Sequence, residues 1–529
     1  MSKKPVLGID LGTRYALMSL CGEGSSPPQI LPNRWGRTRT PSIIAWEGGR
    51  FYVGEEAQKR LLRGCPQAWW NVKSHIGNAS WKVLAGTRHY RAEELLIPLL
   101  VLLREDAEAY LGAVVTDCVL AVPAHFSFPE RASMVRVARS AGFGSVRIIN
   151  EPTAAALAVE MEGRSLVLDF GAGTVDITVM EQEEGIWQVL QSRGRDALGG
   201  AVIDALLARY LWERLGNRKL SEKDLRWPLL LSEAEKIKIT LSNAGEIDWY
   251  PPGGLLERHQ NLPLRICRKD LEELMEPLLD EVVAMVLHMW QEHLPDRLLL
   301  VGGSSRLPLL RSKLTAQVAE PSHLGLYPDE VVALGAGIHG ARGAGRLLID
   351  VLSRDLGVES SWGQMIPLLF QGTPLPCGAA KKFESSRGGV LEIGVLQGGE
   401  GNLQEKLGTI QVEHVDSQEE VEVLFEVDSE GLLQVEVRRQ DGSVAIHEIL
   451  GLSAQEGEKG QPRNFGDSRY RNIEKRCAKI SVHLNEEQQQ RMQRLLDRLR
   501  VLRSHRDAWE AGLREMEIFL ARLEEVGSS

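Results

Sequence analysis

Two stretches of this chain combine carboxylates with small-residue turns in a pattern suited to phosphate chemistry. Leu166-Val167-Leu168-Asp169-Phe170 is an apolar run carrying an acid near its end, Gly171-Ala172-Gly173 is a small-residue tip, and Thr174-Val175-Asp176-Ile177-Thr178-Val179 resumes as an alternating strand. The pattern predicts a β-hairpin with a tip open to phosphate. Glycines at such a tip let backbone N–H groups approach phosphate oxygens, Thr174 adds a hydroxyl, and Asp169 and Asp176 suit hydrated Mg²⁺ or another cation. Small-residue hairpins are common, so this stretch alone is a weak signal. The same order of strand, Asp, Gly, Thr and returning strand occurs earlier, in Val6-Leu7-Gly8-Ile9-Asp10-Leu11-Gly12-Thr13 followed by Ala16-Leu17-Met18-Ser19-Leu20. Two such hairpins can face each other across one cleft. Leu298-Leu299-Leu300-Val301-Gly302-Gly303-Ser304-Ser305-Arg306-Leu307-Pro308 adds a buried strand, a glycine turn and a helix start with serines placed to cap it.

With Asn150-Glu151-Pro152-Thr153-Ala154-Ala155-Ala156 and Val122-Pro123-Ala124-His125-Phe126, these segments resemble the nucleotide-binding signature of the DnaK-type 70 kDa heat-shock chaperones. The resemblance is ordered, spans most of residues 5 to 345, and is strongest to the short HscC-like bacterial branch. It implies an actin-like two-lobed α/β ATPase domain with ATP between the lobes. Asp10, Asp169 and Asp176 would then organise Mg²⁺ through water, with K⁺ as a further cation. Thr13 and Thr174 would contact phosphate or the attacking water, and Lys73 and Glu151 would complete the catalytic end. Gly12, Arg14, Gly171, Ala172 and Gly173 are the implied ATP contacts at the hairpin tips. Gly199, Gly200, Glu235, Lys238 and Ser242 extend the set on two helices, and Gly302, Gly303, Ser304, Arg306 and Asp329 close it.

Residue type alone supports plainer readings of several of these. Lys73 in Val72-Lys73-Ser74-His75-Ile76-Gly77 reads as a solvated surface lysine, and Glu151 before Pro152 as a carboxylate acting on a helix dipole. Glu235, Lys238 and Ser242 lie about one helical turn apart and otherwise form an ordinary solvated face. Three positions depart from the family pattern. Arg14 stands where a small hydroxyl residue is usual beside the β-phosphate, Ile239 where an arginine stacks on adenine in many relatives, and Ala172 at the middle glycine of the second hairpin. The alanine would restrict the tip if it needs positive φ. Altered nucleotide affinity is the expectation.

The elements that must position these groups divide the chain into residues 1–343, an ATPase domain; 344–351, a linker; 352–453, a β-sandwich; 454–483, a connector; and 484–526, a short helical lid or tail. In the first domain, apolar spacing predicts a helix from about Ala92 to Leu111 and a buried strand from Val114 to Pro123. Leu198-Gly199-Gly200 opens a helix bearing Asp204, and Ser232 to Ser242 reads as a further helix. The segment after Gly77 is shorter than usual in the family, which leaves the exchange factor open. Pro123, Glu151 and Arg131, the last as a surface residue, resemble the family's relay from nucleotide state to domain surface. Leu347-Leu348-Ile349-Asp350 resembles the interdomain linker; an edge strand of the following domain is the plain alternative. Val390–Val395, Val421–Val427 and Leu432–Val437 read as short strands, with a turn at Asp428-Ser429-Glu430-Gly431. By resemblance this β-domain binds extended peptide through main-chain hydrogen bonds, with Ser360, Ser361, Phe383 and Leu391 at or near the groove. Ser361 replaces a larger apolar residue often found there, which predicts looser closure. Met492, Leu499, Leu513 and Leu520 recur with Leu495, Leu502, Trp509, Met516 and Leu523 in one heptad frame interrupted at Arg506, giving one long helix or a hairpin.

A chain of 529 residues exceeds one core, and its formal charge of −10 disfavours nucleic acid or anionic membrane as the default partner. Six cysteines without C-x-x-C pairing read as reduced thiols, and neither a leader pattern nor a membrane-length apolar run is present. A cytoplasmic location is expected. The functional expectation is an ATP-dependent chaperone whose ATPase cycle controls binding and release of unfolded client segments, with J-domain co-chaperones implied by the family. Its rivals are a nucleotide-gated binding or regulatory protein with little hydrolysis, and a sugar kinase or actin-like filament protein, which would leave the β-domain and linker unexplained.

Overall fold

The structure is a computed structural model. It describes residues 5–449 other than 22–26, 160–161, 184–185, 197, 217–219, 223, 254, 256–262, 324, 342–346, 361, 385–387, 399–403, 418 and 440–443. The connector at 454–483 and the helical tail at 484–526 lie outside the described residues, as does Ser361. The chain divides into two compact units, Met1–Arg342 and Gly343–Ser529.

The first unit contains two larger sheets, each beginning with a hairpin. In the first, the strand Val6–Leu11 pairs antiparallel with Tyr15–Leu20 and parallel with Asp117–Val122, which in turn pairs parallel with Ser145–Asn150. Parallel strands buried on both faces require continuous apolar runs, and the interiors of these three supply them: Leu7, Ile9, Leu11, Val119, Leu120, Ile148 and Ile149 are all buried. Register sets Asp10 beside Ala121, and Val122 beside Asn150, so Asp10, Pro123 and Glu151 all emerge at the carboxyl ends of neighbouring strands. Ligands bind at that edge of open α/β sheets.

The second sheet sets Gly163–Phe170 antiparallel to Thr174–Glu183 and parallel to Arg297–Val301, with Ile186–Asp196 beyond. Asp169 is directly opposite Asp176 across the hairpin. Beneath lies the main core, where Leu166, Leu168, Phe170, Val175 and Ile177 pack with Ile203, Leu207, Leu230, Ile237, Leu279 and Val283 from three helices. Those helices, Gly200–Arg214, Trp227–Asn243 and Arg268–His293, fix the floor on which the second hairpin stands.

The helices Glu151–Val159 and Val331–Ala341 pack on each other, and the latter also packs on Val6–Leu11. Their approach is so close that a Cβ at Gly335 would collide with the Ala154 backbone carbonyl. A glycine is required at that crossing, and it holds the Glu151 helix against the Asp10 strand.

The predicted helix at 92–111 is observed as Ala92–Leu111 and the following strand as Asp117–Val122. The serines after Val301 are not caps. A 3₁₀ turn at Gly303–Arg306 intervenes before the helix Pro308–Gln317, with the Ser304 hydroxyl donating to the Gly171 carbonyl at 2.8 Å and Ser305 to Gly302 at 2.7 Å. Ser304 is instead recruited by the hairpin tip.

In the second unit, Leu347–Ile349 is a short strand. Beyond it are two four-stranded antiparallel sheets. One follows the order Met365–Leu369, Asp355–Glu359, Gly389–Gly398, Glu405–Val415; the other follows Cys377–Glu384, Glu420–Val427, Leu433–Arg438, Val444–Ile449. Period-two alternation puts Val421, Val423, Phe425 and Val427 inside with Leu433, Val435 and Val437. The turn at Asp428 is closed by its own carboxylate, which accepts from the N–H groups of Glu430 and Leu432, both at 2.9 Å.

Candidate functional site

The two hairpin tips meet. Gly173 lies so close to Thr13 that any Cβ would overlap the threonine hydroxyl, while Ser42 donates to the Gly12 carbonyl at 2.7 Å and steadies the first tip. The second tip is tied to the helix start at Gly199-Gly200 by Gly200 N–H donating to Gly171 C=O at 3.0 Å and Ala201 N–H to Ala172 C=O at 2.8 Å. Gly199 and Gly200 themselves leave no room for a Cβ against Ala172 and Ser304. Gly302, at φ +80°, passes beside Asp169 and Phe170 where a side chain would clash. The three glycine segments picked out by type thus converge. Ala172 is absent from the positive-φ residues, so the tip does not demand glycine there and the expected restriction does not arise.

Below the tips lies a buried ion pair. Lys73, on the 3₁₀ turn Val72–His75, donates to Glu151 Oε1 at 2.6 Å, with the Phe126 ring 5.7 Å from its ammonium. Lys73 is 7% exposed, which removes the reading of a solvated surface lysine. Burial works against its charge, but Glu151 and then Asp10 more than compensate and raise its pKa. The carboxylates around it are strained electrostatically. Burial, then Glu151, pushes the Asp10 carboxyl up to about 7, and burial with Glu151 and Asp176 raises that of Asp169 well above its ordinary value. Asp176 Oδ2 is buried without a hydrogen-bond partner. Excess buried negative charge and an orphaned carboxylate oxygen fit a cation. Among the described residues, however, no three Asp, Glu, His or Cys side chains form a ready metal cage.

His125 is a participant that residue type did not reveal. Its Nδ1 lies 3.0 Å from Asp176 Oδ1 and its Nε2 3.0 Å from Asp196 Oδ1. Burial opposes its charge, yet Asp176 and Asp196 raise its pKa to about 10, making it an imidazolium between two acids. A Cβ at Gly194 would overlap both His125 and Asp176, so that glycine leaves room for the pair. Its sequence signal was its place in Val122–Phe126, a segment that carries the resemblance without assigning the ring a role.

On the cleft wall, Lys238 pairs with Asp204 at 2.7 Å and donates to Gly200 C=O at 3.1 Å; Glu235 accepts from Arg14 at 2.6 Å. Ser242 bonds the Lys238 carbonyl of its own helix at 2.9 Å, and Ile239 is 57% exposed. Asp329 is held between Arg39 and Arg306.

The expected surface arginine is not at the surface. Arg131 is 6% exposed, donating to Asn150 Oδ1 at 2.5 Å and to the carbonyls of Ala124 at 3.2 Å and Phe126 at 3.3 Å. It braces the backbone beside Pro123 from within, because its guanidinium finds three acceptors there. In the second unit, Asp350 is buried, with its carbonyl accepting from Leu375 at 2.7 Å; Leu348 is half-buried and Ile349 buried. Ser360 and Leu391 are on one sheet's side and Phe383 on the other sheet, distributed over both layers. No described helix is long and apolar enough to cross a membrane.

The family model described as Hsp70 protein matches residues 6–494.

Proposed function

The chain belongs to the Hsp70 family, and from that premise we propose that it binds ATP between the two hairpin tips of its first unit and hydrolyses it. Family membership implies an ATP-dependent chaperone. The observation that best supports a hydrolytic site is the Lys73–Glu151 pair, buried among Asp10, Asp169 and Asp176 beneath the tips.

Hydrolysis forms a bond from water oxygen to the γ-phosphorus and breaks the bond to the β–γ bridging oxygen, giving ADP, phosphate and a proton. No covalent intermediate is needed, so the chain contributes positioning and charge stabilisation. Backbone N–H groups at Gly12–Thr13 and Gly171–Gly173, with the Thr13 and Thr174 hydroxyls, would hold phosphate oxygens. The Lys73 ammonium would face the charge developing on the transferred group, and Glu151 would keep that ammonium charged and aimed. Magnesium, held by phosphate oxygens and by water on Asp10, Asp169 and Asp176, would neutralise phosphate charge when bound. Gly199 and Gly200 would approach phosphate through backbone N–H groups, Glu235, Lys238 and Ser242 would bound the nucleoside side, and Gly302, Gly303, Ser304, Arg306 and Asp329 the remaining wall.

The second unit, in this reading, is a β-sandwich that holds extended segments of unfolded polypeptide, and J-domain co-chaperones stimulate the cycle. The rival reading, a nucleotide-gated binding protein with little hydrolysis, is favoured by one observation, the engagement of Arg14 at the first hairpin tip with Glu235 on the nucleoside side.

Asp10→Asn tests the hydrolytic site without confusing chemistry with folding. Because burial and Glu151 already penalise the charged carboxylate, the neutral isostere is expected to leave the thermal midpoint equal or higher. Single-turnover ATP hydrolysis is expected to fall at least tenfold, about 1.4 kcal/mol of barrier. Undiminished hydrolysis in the folded variant refutes the assignment.

A further inference from the structure

We propose that Arg14 is a specificity-determining residue that reads the polyphosphate of the nucleotide by exchanging its present partners, Glu235 and Asp204, for phosphate oxygens. The inference rests on the nucleotide-binding reading above.

Arg14 directly follows Thr13 at the first hairpin tip, yet its partners are on the opposite wall. Nη2 donates to Glu235 Oε2 at 2.6 Å and Nε to Glu235 Oε1 at 3.4 Å, a fork with one short and one long arm. The same Nη2 is 3.9 Å from Asp204 Oδ2, and Asp204 also holds Lys238 at 2.7 Å. Arg14, Lys238, Glu235 and Asp204 therefore make a four-group cluster of zero net charge spanning the two lobes.

The guanidinium does not deprotonate, so its energetics reduce to a choice of anion. Arginine grips phosphate with the same fork geometry as carboxylate, and a polyphosphate offers more charge than one carboxylate. The two partners would not lose equally by the exchange. Asp204 keeps Lys238, whereas Glu235 gives up its cation and becomes free to accept from ligand hydroxyls. Thr13, Arg14, Gln58, Ser232 and Glu235 border a common small cavity. Arg14 sits between the two events: phosphate arrival withdraws it, and its withdrawal unmasks Glu235.

The test compares calorimetric affinities for ADP and for adenosine, which lacks phosphate, in the full chain with Mg²⁺ present. Wild type should favour ADP. In Arg14→Gln the ADP affinity should fall at least about tenfold while adenosine binding is unchanged or tighter. In Glu235→Gln, which removes the competitor, the ratio of ADP to adenosine affinity should rise above the wild-type ratio. An unchanged ratio in Arg14→Gln, or equal tightening of both ligands, overturns the proposal and leaves Arg14 a simple interlobe tie. Should Arg14→Gln fail to fold, a Glu235→Gln ratio at or below wild type overturns it alone. Wild type that binds neither ligand overturns both this proposal and the nucleotide-binding reading.

Discussion

At the scale of single residues, the candidate site is a problem in buried charge. Four carboxylates, Asp10, Asp169, Asp176 and Glu151, crowd around one ammonium, and His125 adds a second cation from the far side of Asp176. His125 gives this arrangement a pH signature. Its pKa is raised from 6.5 to about 10 by Asp176 and Asp196 against burial, while Glu130 also faces it. A folded-state pKa above the unfolded value means that the native state binds the proton more tightly. The stabilisation is therefore complete below about pH 6.5 and disappears as pH rises through about 10. His125→Gln should lower the thermal midpoint most near pH 6, with the difference from wild type closing toward pH 10. A difference independent of pH would show that the ring contributes packing and not charge. Asp10 and Asp169 were legible in the sequence because the order Asp, Gly, Thr recurs. The pairings of His125 and Arg14 were not, since their partners lie 51 and 221 residues away and no local pattern announces them. The resemblance implied a surface position for Arg131, and its burial follows from three acceptors, at Ala124, Phe126 and Asn150, that no local pattern shows.

At the scale of elements, the site depends on two strands and one helix arriving together at a sheet edge. Hairpin order and the apolar runs were readable because period and turn chemistry are local properties. The close crossing of Glu151–Val159 and Val331–Ala341 was not, although Gly335 makes it possible, while Gly337 and Gly340 let the same helix approach Ser19 and Val6 of the first sheet. Ser304 and Ser305 show the converse failure, where a good capping pattern is overridden, for Ser304 by the Gly171 carbonyl at the second hairpin tip and for Ser305 by the nearby Gly302 carbonyl. Gly335 carries the prediction at this scale. A Cβ there meets the backbone of Ala154, which cannot yield as a flexible side chain would. Gly335→Ala should destabilise the chain by about 1–3 kcal/mol, as overpacking does. It should also weaken nucleotide binding by displacing the Glu151 helix. Denaturant unfolding with an ADP titration checks both, and a variant equal to wild type in each would show that the crossing has slack.

For the whole molecule, the question is whether the two units act as one machine. Sequence resemblance supplied the domain plan, including Leu347, Leu348, Ile349 and Asp350 as the coupling segment, because three apolar residues beside a glycine-rich approach are costly to leave in water. Ordinary coupling free energies of about 1–3 kcal/mol change affinity by about 5- to 150-fold, and the effect is reciprocal between the two ligands. The most direct measurement is the dissociation rate of a fluorescent extended peptide from the full chain after adding ATP or ADP, run beside Leu347→Asp/Leu348→Asp. Wild type should release peptide at least about fivefold faster with ATP than with ADP, and the double variant should bind both ligands yet lose that difference. Equal release with ATP and ADP in wild type, with both ligands bound, would contradict an ATP-controlled peptide cycle.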